Sequence, residues 1–344
     1  MPLVIRSRAP LRLGLAGGGT DVSPYSEKFG GYVLNATVNL YSYCSIIPTD
    51  DGQIHFHASD RREDFTAPAS TTLPLEGTLP LHKAIYNRLV RDFNGGRPLS
   101  CHVTTYSDAP AGSGLGTSST MAVAILGAFT EWLKLPLGEY EIAHLAFEIE
   151  RLELGMAGGK QDQYAAAFGG FNFMEFHADD RVIVNPLRIR ASTLNELQSS
   201  LVLYYTGVSR DSAKIISEQM RNVTNESTDS VSAMHDMKAD AVAMKEHLLR
   251  GDLTAFARTL GRSWEAKKRM AKVISNAQID EVFEAARRAG ALSGKVSGAG
   301  GGGYIMFMID PCKREEVTQA LGVFSGGVHR FQFTSCGMER WSIR

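Results

Sequence analysis

No two cysteines in this chain are spaced as CxxC. Its 4 cysteines, Cys44, Cys101, Cys312 and Cys336, are scattered through 344 residues. That argues against a disulfide scaffold or a zinc knuckle and fits reduced thiols in a cytoplasmic protein. Surplus charge is also missing: 36 Lys and Arg stand against 37 Asp and Glu, for a formal charge of −1. A nucleic-acid binder relying on bulk positive charge is thereby excluded, although a local cationic pocket is not. No apolar run reaches membrane-spanning length, and Met1 to Arg8 does not make a signal peptide, so a soluble, non-membrane protein is expected. His55 and His57 share one face of an expected strand but have no third ligand nearby in sequence, so they are read as ordinary strand histidines. Internal repeats and low-complexity tails are absent. With 44% hydrophobic and 21% charged residues, the chain is an ordinary globular one of about two domains.

Glycine is what the chain does have, 34 in all, gathered in loops. The central loop runs from Asp108 to Met121. Asp108-Ala109-Pro110 is a turn signal, Gly112, Gly114 and Gly116 alternate, and Thr117, Ser118 and Ser119 come next, before an apolar helical run to Leu133. Glycines let backbone approach a bulky ligand, and a helix N-terminus offers free N–H groups and partial positive charge. Together they suit a phosphate, with the hydroxyls able to hold phosphate oxygens or a divalent metal. The plainer reading is a Ser/Thr-capped helix after a flexible turn.

Three other loops matter. Strands at 3–8 and 11–16, separated by Ala9-Pro10, lead into Gly17-Gly18-Gly19-Thr20-Asp21. Asp21 either accepts hydrogen bonds from hydroxyls or caps a short helix near Ser23–Phe29. Strands are read at Tyr32–Pro48 and Gln53–His57, a surface loop at 59–80, a helix at 81–93 and a strand at 99–107. A helix over Glu139–Leu154 buries Ile142, Leu145, Ile149 and Leu152, turns Glu150 inward, and leaves Glu148 and Arg151 as an i,i+3 pair on a solvated face. The loop after it, Gly155 to Gln163, ends in Lys160 and Asp162; Asp162 reads equally as a positioned base or a helix cap. A domain boundary near His177–Asp180 divides the chain into 1–178 and 179–344. Residues 213–289 read as charged helices, with Lys267-Lys268-Arg269 a solvated run of which one member could face an anion. A further glycine segment, Gly290 to Gly303, precedes a strand at Tyr304–Ile309.

Common nucleotide-binding schemes fail. Gly298-x-Gly300-x-x-Gly303 is followed by a strand instead of a helix. The pairs Gly159-Lys160 and Gly294-Lys295 are followed by Gln161 and Val296, so neither is a Walker A. Protein-kinase HRD and DFG signatures and a GxSxG elbow are also missing.

Three stretches in order, Arg8-Ala9-Pro10-x-Arg12 to Asp21, Pro110-x-Gly112-x-Gly114-Leu115-Gly116-x-Ser118-Ser119, and Lys295-x-Ser297-Gly298-x-Gly300-Gly301-Gly302, resemble the GHMP kinase superfamily, which includes galactokinase, homoserine kinase and mevalonate kinase. The resemblance implies an α+β fold in two parts, the first like ribosomal protein S5 domain 2 and the second ferredoxin-like. It implies ATP and Mg²⁺ as cofactors, and a cradle for the triphosphate at Pro110, Gly112, Ser113, Gly114, Leu115, Gly116, Thr117, Ser118 and Ser119. Ser118 and Glu150 take the metal-ligand positions. Asp162 takes the catalytic base position and Arg12 the catalytic cation position. Gly18, Gly19, Thr20, Asp21, Lys160, Arg210 and Gly300 fall on the substrate side, with Arg262 and Lys268 as further candidates for a substrate phosphate. Lys295 is expected to contribute backbone and not a direct contact.

Arg8-Ala-Pro-Leu-Arg12, Ala16-Gly-Gly-Gly-Thr-Asp21, Tyr205-Thr-Gly and Ile274-Ser-Asn resemble the heptose-7-phosphate 1-kinase group within that superfamily; fucokinase-type domains share parts of this pattern. Where galactokinase has Gly-Glu-His-Thr-Asp, this chain has Gly17-Gly18-Gly19-Thr20-Asp21, which removes a charge and makes room for a larger or phosphorylated sugar. The implied activity is phosphorylation of the anomeric hydroxyl of D-glycero-D-manno-heptose 7-phosphate, toward nucleotide-activated heptose and surface polysaccharide. The alternatives are a fucokinase or other hexose 1-kinase and, from another class, a catalytically silent sugar and ATP sensor. Partners are the sugar phosphate and ATP, with neither nucleic acid nor membrane, and a homodimer is allowed.

Overall fold

The computed structural model describes residues 3–208, 212–225 and 227–343. Strand β1, Val4–Ala16, passes straight through the expected break at Ala9-Pro10. The proline sits at a register shift between Pro10 and Arg12, where a bulge removes the need for its missing N–H. Helix α1, Tyr25–Phe29, leads to β2, Gly31–Pro48, which is long enough to serve two neighbours in turn. A hairpin comes next, β3, Gln53–Ala58, and β4, Glu63–Pro68. The second of these lies inside the segment read as a loop. Its outward residues are polar and only Phe65 and Ala67 pack inward, which hides the alternation.

Helix α2, Pro80–Phe93, precedes β5, Cys101–Ser107, and then come α3, Thr117–Leu133, and α4, Glu139–Phe147. Helix α5, Gln161–Phe168, β6, Phe171–Phe176, and β7, Val182–Pro186, complete this half. Helix α6, Ala191–Ser200, and β8, Leu201–Tyr205, open the next. A helical stretch succeeds them: α7, Ser212–Thr224, α8, Thr228–Arg250, α9, Leu253–Met270, and α10, Ala277–Arg288. The chain ends with β9, Ala291–Val296, β10, Tyr304–Ile309, α11, Arg314–Leu321, β11, Gly327–His329, and β12, Glu339–Ile343.

The first sheet has 8 strands in the order β12-β1-β2-β5-β3-β4, with β6 beside β2 and β7 beside β6. Strands on both sides of residue 178 share it, because β7 lies beyond that position and the last strand returns to pair with β1. The second sheet, β11-β8-β10-β9, is antiparallel throughout. Its strands in chain order are joined as βαββαβ, which is the ferredoxin-like arrangement. Helices α2 to α5 cover one face of the first sheet. The second sheet packs toward its other face: Leu203 and Met306 join Leu11, Leu13 and Leu15 in one core, while Val202 and Ile305 alternate into another.

One buried titratable group sits far from any loop. His82 on α2 pairs its Nε2 with Thr105 Oγ1 on β5 at 2.9 Å. Burial pushes its pKa from 6.5 down to about 4. In that window the unfolded chain binds a proton that the folded chain refuses, so stability falls as pH drops. Between pH 7.5 and 4.5 this group should remove roughly 2 kcal/mol, and His82→Leu should abolish that part of the loss in urea titrations at the two pH values.

Candidate active site

Alternation along β1 decides where the site starts. Leu11, Leu13 and Leu15 enter the core shared with the second sheet, so Arg12 points the other way. There α5 brings Asp162. Arg12 Nε donates to Asp162 Oδ1 at 2.8 Å, Nη2 lies 2.6 Å from the same oxygen, and Nη1 donates to the Gly114 carbonyl at 2.6 Å. The guanidinium is buried while Asp162 keeps 21% of its side chain exposed. Asp162 does not cap α5; Lys160 occupies the cap position and makes no side-chain cap bond. A Cβ on Gly116 would stand 3.1 Å from Asp162 Oδ2, so glycine there leaves the carboxylate its place.

Both residues open onto a cleft of about 710 Å³. The central loop forms one wall. Gly112, Gly114 and Gly116 all have positive φ, and Gly116 caps α3 without any side-chain cap bond. The helix is therefore not Ser/Thr-capped, and the first-turn residues Thr117, Ser118 and Ser119 line the cleft instead. Pro110, Ser113 and Leu115 shape the loop from behind and do not line the cleft. Ser113 Oγ meets Thr117 Oγ1 at 3.2 Å, and the Ser113 carbonyl accepts from Tyr304 N at 2.9 Å. The last glycine segment backs this loop closely: a Cβ on Gly114 would lie 2.5 Å from the Ser297 carbonyl oxygen. Gly300 packs on Ile274, where a Cβ would come within 2.9 Å, and does not line the cleft. Lys295 is buried with its Nζ donating to the Leu15 carbonyl at 3.2 Å.

Behind Ser118 lies Glu150, fully buried. Its Oε1 accepts from Ser118 Oγ at 2.9 Å, and its Oε2 accepts from Gln163 Nε2 at 2.6 Å. The segment Glu148–Glu153 is a π-helix, not a continuation of α4. Its wider turn shifts the angular position of each later side chain around the axis. Leu152, expected in the core, is 71% exposed. Glu148 pairs with Arg88 at 2.6 Å instead of with Arg151. Arg151 turns into the cleft, with Nη2 donating to Ser119 Oγ at 3.3 Å and Nη1 3.8 Å from Glu150 Oε1.

The first glycine loop forms the opposite wall through Gly18, Gly19 and Asp21. Asp21 does not cap α1. Its Oδ1 accepts from Gly19 N and from Gln161 Nε2, both at 3.0 Å, and its Oδ2 accepts from Gln161 N at 3.1 Å. Thr20 is buried as scaffold, donating to the Gly17 carbonyl at 2.8 Å.

Two residues in this wall were not singled out individually from the sequence. Lys267, in the run read as solvated with one member able to face an anion, is the member that turns inward: it is buried, with Nζ donating to the carbonyls of Gly298 at 2.5 Å and Gly18 at 3.3 Å. Burial, then repulsion from Arg12, lowers its pKa to about 8. The spacing of Leu260, Trp264, Lys267 and Met270 on α9 carried that signal. Gln219, on α7, is 4% exposed, lines the cleft, and has an Nε2 without a partner among the described residues. No sequence signal marked it. Of the cations considered for a substrate phosphate, Lys160 pairs with Asp180, Arg262 with Asp240 and Lys268 with Glu265, and none lines the cleft. Arg210 lies outside the described residues.

Known proteins resemble this chain in sequence and fold. Models of the GHMP kinases N terminal domain and GHMP kinases C terminal match residues 80–170 and 244–323. A D-glycero-alpha-D-manno-heptose 7-phosphate kinase of Campylobacter jejuni subsp. jejuni is 49% identical over 98% of this chain and 99% of its own. An L-fucokinase/L-fucose-1-P guanylyltransferase of Bacteroides fragilis is 30% identical over 90% of this chain and 35% of its own. A solved D-glycero-D-manno-heptose 1-phosphate kinase from Bacteriodes thetaiotaomicron superposes with a TM-score of 0.85 at 49% identity, covering 99% of each chain.

Proposed function

This chain belongs to the GHMP kinases, and from that premise we propose that it transfers the γ-phosphoryl group of ATP to the anomeric hydroxyl of D-glycero-D-manno-heptose 7-phosphate, giving the 1,7-bisphosphate. The observation that carries the reading is the Arg12–Asp162 pair, set in one cleft with an uncapped, glycine-lined helix start. The full-length heptose 7-phosphate kinase relative supplies the sugar. The fucokinase relative is named together with a fucose 1-phosphate enzyme, which favours C1 as the accepting carbon.

In this proposal Asp162 takes the proton of the attacking C1 hydroxyl. Arg12, held by Asp162 and the Gly114 carbonyl, supplies positive charge where negative charge develops. The backbone at Gly112, Gly114 and Gly116 and the start of α3 cradle the phosphates. Ser118 and Glu150 fit a Mg²⁺ ion, because one hydroxyl and one buried carboxylate oxygen 2.9 Å apart form a hard-oxygen pair. Mg²⁺ bound there would neutralise phosphate charge. Arg151 and Lys267 flank the same space with further positive charge. Residues 1–178 hold the cradle and the sugar loop in this scheme, and the rest of the chain completes the far wall. The product suits a route to nucleotide-activated heptose and surface polysaccharide in the cytoplasm.

Gln219 is assigned to a sugar hydroxyl, since its buried Nε2 lacks a partner among the described residues and its Oε1 lies 3.7 Å from where a Gly19 Cβ would be. Gln219→Leu should raise the sugar KM about 2- to 12-fold, the loss of one neutral hydrogen bond, with the ATP KM unchanged. Initial rates against each substrate check this.

The substrate itself is tested by a panel of heptose 7-phosphate, heptose 1-phosphate, free heptose, mannose, fucose and galactose, read as sugar-dependent ADP release. Heptose 7-phosphate should have the highest kcat/KM. A higher value for fucose would establish a hexose 1-kinase. A higher value for heptose 1-phosphate would move the chemistry to the other end of the sugar. ATP binding without turnover on any sugar would indicate a sensor.

A further inference from the structure

A second cluster of ligating side chains lies on the outer face of the first sheet, and none of its members lines the cleft. Strands β3 and β5 run parallel, with His55 directly beside His102. Their buried neighbours Ile54, Phe56, Cys101 and Val103 fix both histidines on the opposite, outward face. The two rings are 4.1 Å apart. The turn before β3 adds Asp51, whose Oδ1 is held by three donors: Thr49 Oγ1 at 2.8 Å, Ser100 Oγ at 2.9 Å and Gln53 N at 3.0 Å. These bonds, with the Gln53 amide the largest influence, lower the Asp51 pKa to about 2.

The remaining oxygen, Oδ2, faces both rings. It stands 3.8 Å from His55 Nε2 and 3.9 Å from His102 Nε2. These separations are too long for hydrogen bonds. They are close to the roughly 3.4 Å that separates two ligands on one tetrahedral ion with bonds of about 2.1 Å. His55 Nδ1 is engaged by Thr66 Oγ1 at 3.0 Å. A proton on that nitrogen leaves the Nε2 lone pair directed at the carboxylate, an arrangement that a cation would relieve.

We propose that Asp51 Oδ2, His55 Nε2 and His102 Nε2 bind a divalent transition-metal ion of the zinc class, with water completing its coordination. Two imidazoles and a carboxylate match that class better than Mg²⁺ or Ca²⁺. His55 and His57, read from sequence as ordinary strand histidines, do not converge with each other: His57 turns to Asp64 at 2.7 Å. The ion would tie the 49–52 turn to β5 across β3, so its effect would be on stability and not on phosphoryl transfer.

The test uses the full, untagged chain, stripped with a chelator and titrated with ZnCl₂ by calorimetry. One Zn²⁺ per chain with micromolar affinity is expected, together with a zinc-dependent rise in the thermal midpoint. Both should be lost in His55→Ala and in His102→Ala and kept in His57→Ala, with unchanged kinase turnover reporting that each variant is folded. Absence of saturable binding in the native chain would overturn the proposal. So would binding that survives either of the first two changes, or that disappears equally with His57.

Discussion

Asp162→Asn should lower kcat by about 10²–10⁴-fold while leaving ATP affinity within about twofold. The amide keeps the size of the side chain but cannot take a proton from the sugar hydroxyl. ATP affinity should survive because the phosphate cradle is built from the 112–119 loop and its glycine backing, neither of which hydrogen-bonds to Asp162. Arg12 retains the Gly114 carbonyl as a second acceptor, so the variant keeps one of its two anchors. Rapid-quench rates and calorimetric ATP binding separate the two effects. Unchanged turnover would mean that the hydroxyl attacks without a base, and Asp162 would then be only a partner for Arg12.

Glu150→Gln should raise the Mg²⁺ concentration for half-maximal rate by about 10–100-fold, with a smaller change in the rate at saturating Mg²⁺. Glu150 is fully buried and its two oxygens are taken by Ser118 and Gln163. The amide offers one acceptor oxygen in place of two and no charge. Turned so that its oxygen keeps the Gln163 Nε2 bond, its NH₂ takes the place of the oxygen that accepts from Ser118, so the Ser118 side of the pair is disturbed as well. Initial rates over a Mg²⁺ series at saturating ATP decide the point. An unaltered Mg²⁺ requirement in a folded variant would take Glu150 out of the metal site and leave it a structural anchor for Ser118.

Local chemistry explains which features could be read from the sequence. The 108–121 stretch is legible because alternating glycines, hydroxyls and a helix start lie within one turn of each other. Glu150 is legible because apolar neighbours three and four positions away leave it no route to solvent. Arg151 was misplaced for a related reason. The segment widens to a π-helix, and no residue type announces that change. Lys267 could have been found: its partners along α9 form an apolar stripe, but three adjacent basic residues suggest solvent more strongly. Lys268 and Arg269 do face outward, paired with Glu265 and Asp236. Gln219 was invisible, since an isolated glutamine on an amphipathic helix has no signature. The register placing His102 beside His55 depends on a parallel pairing between strands 47 residues apart, which neither strand encodes alone. Strand β4 was hidden by polar outward residues, and Pro10 suggested a break where a bulge absorbs it.

The most direct test of the proposed reaction is the position of the new phosphate. The purified enzyme, ATP, Mg²⁺ and D-glycero-D-manno-heptose 7-phosphate should give a product with two phosphorus signals in ³¹P NMR. The new signal should couple to the anomeric proton. A new phosphate coupled to any other carbon's proton, or ADP formed with the sugar unchanged, would contradict it.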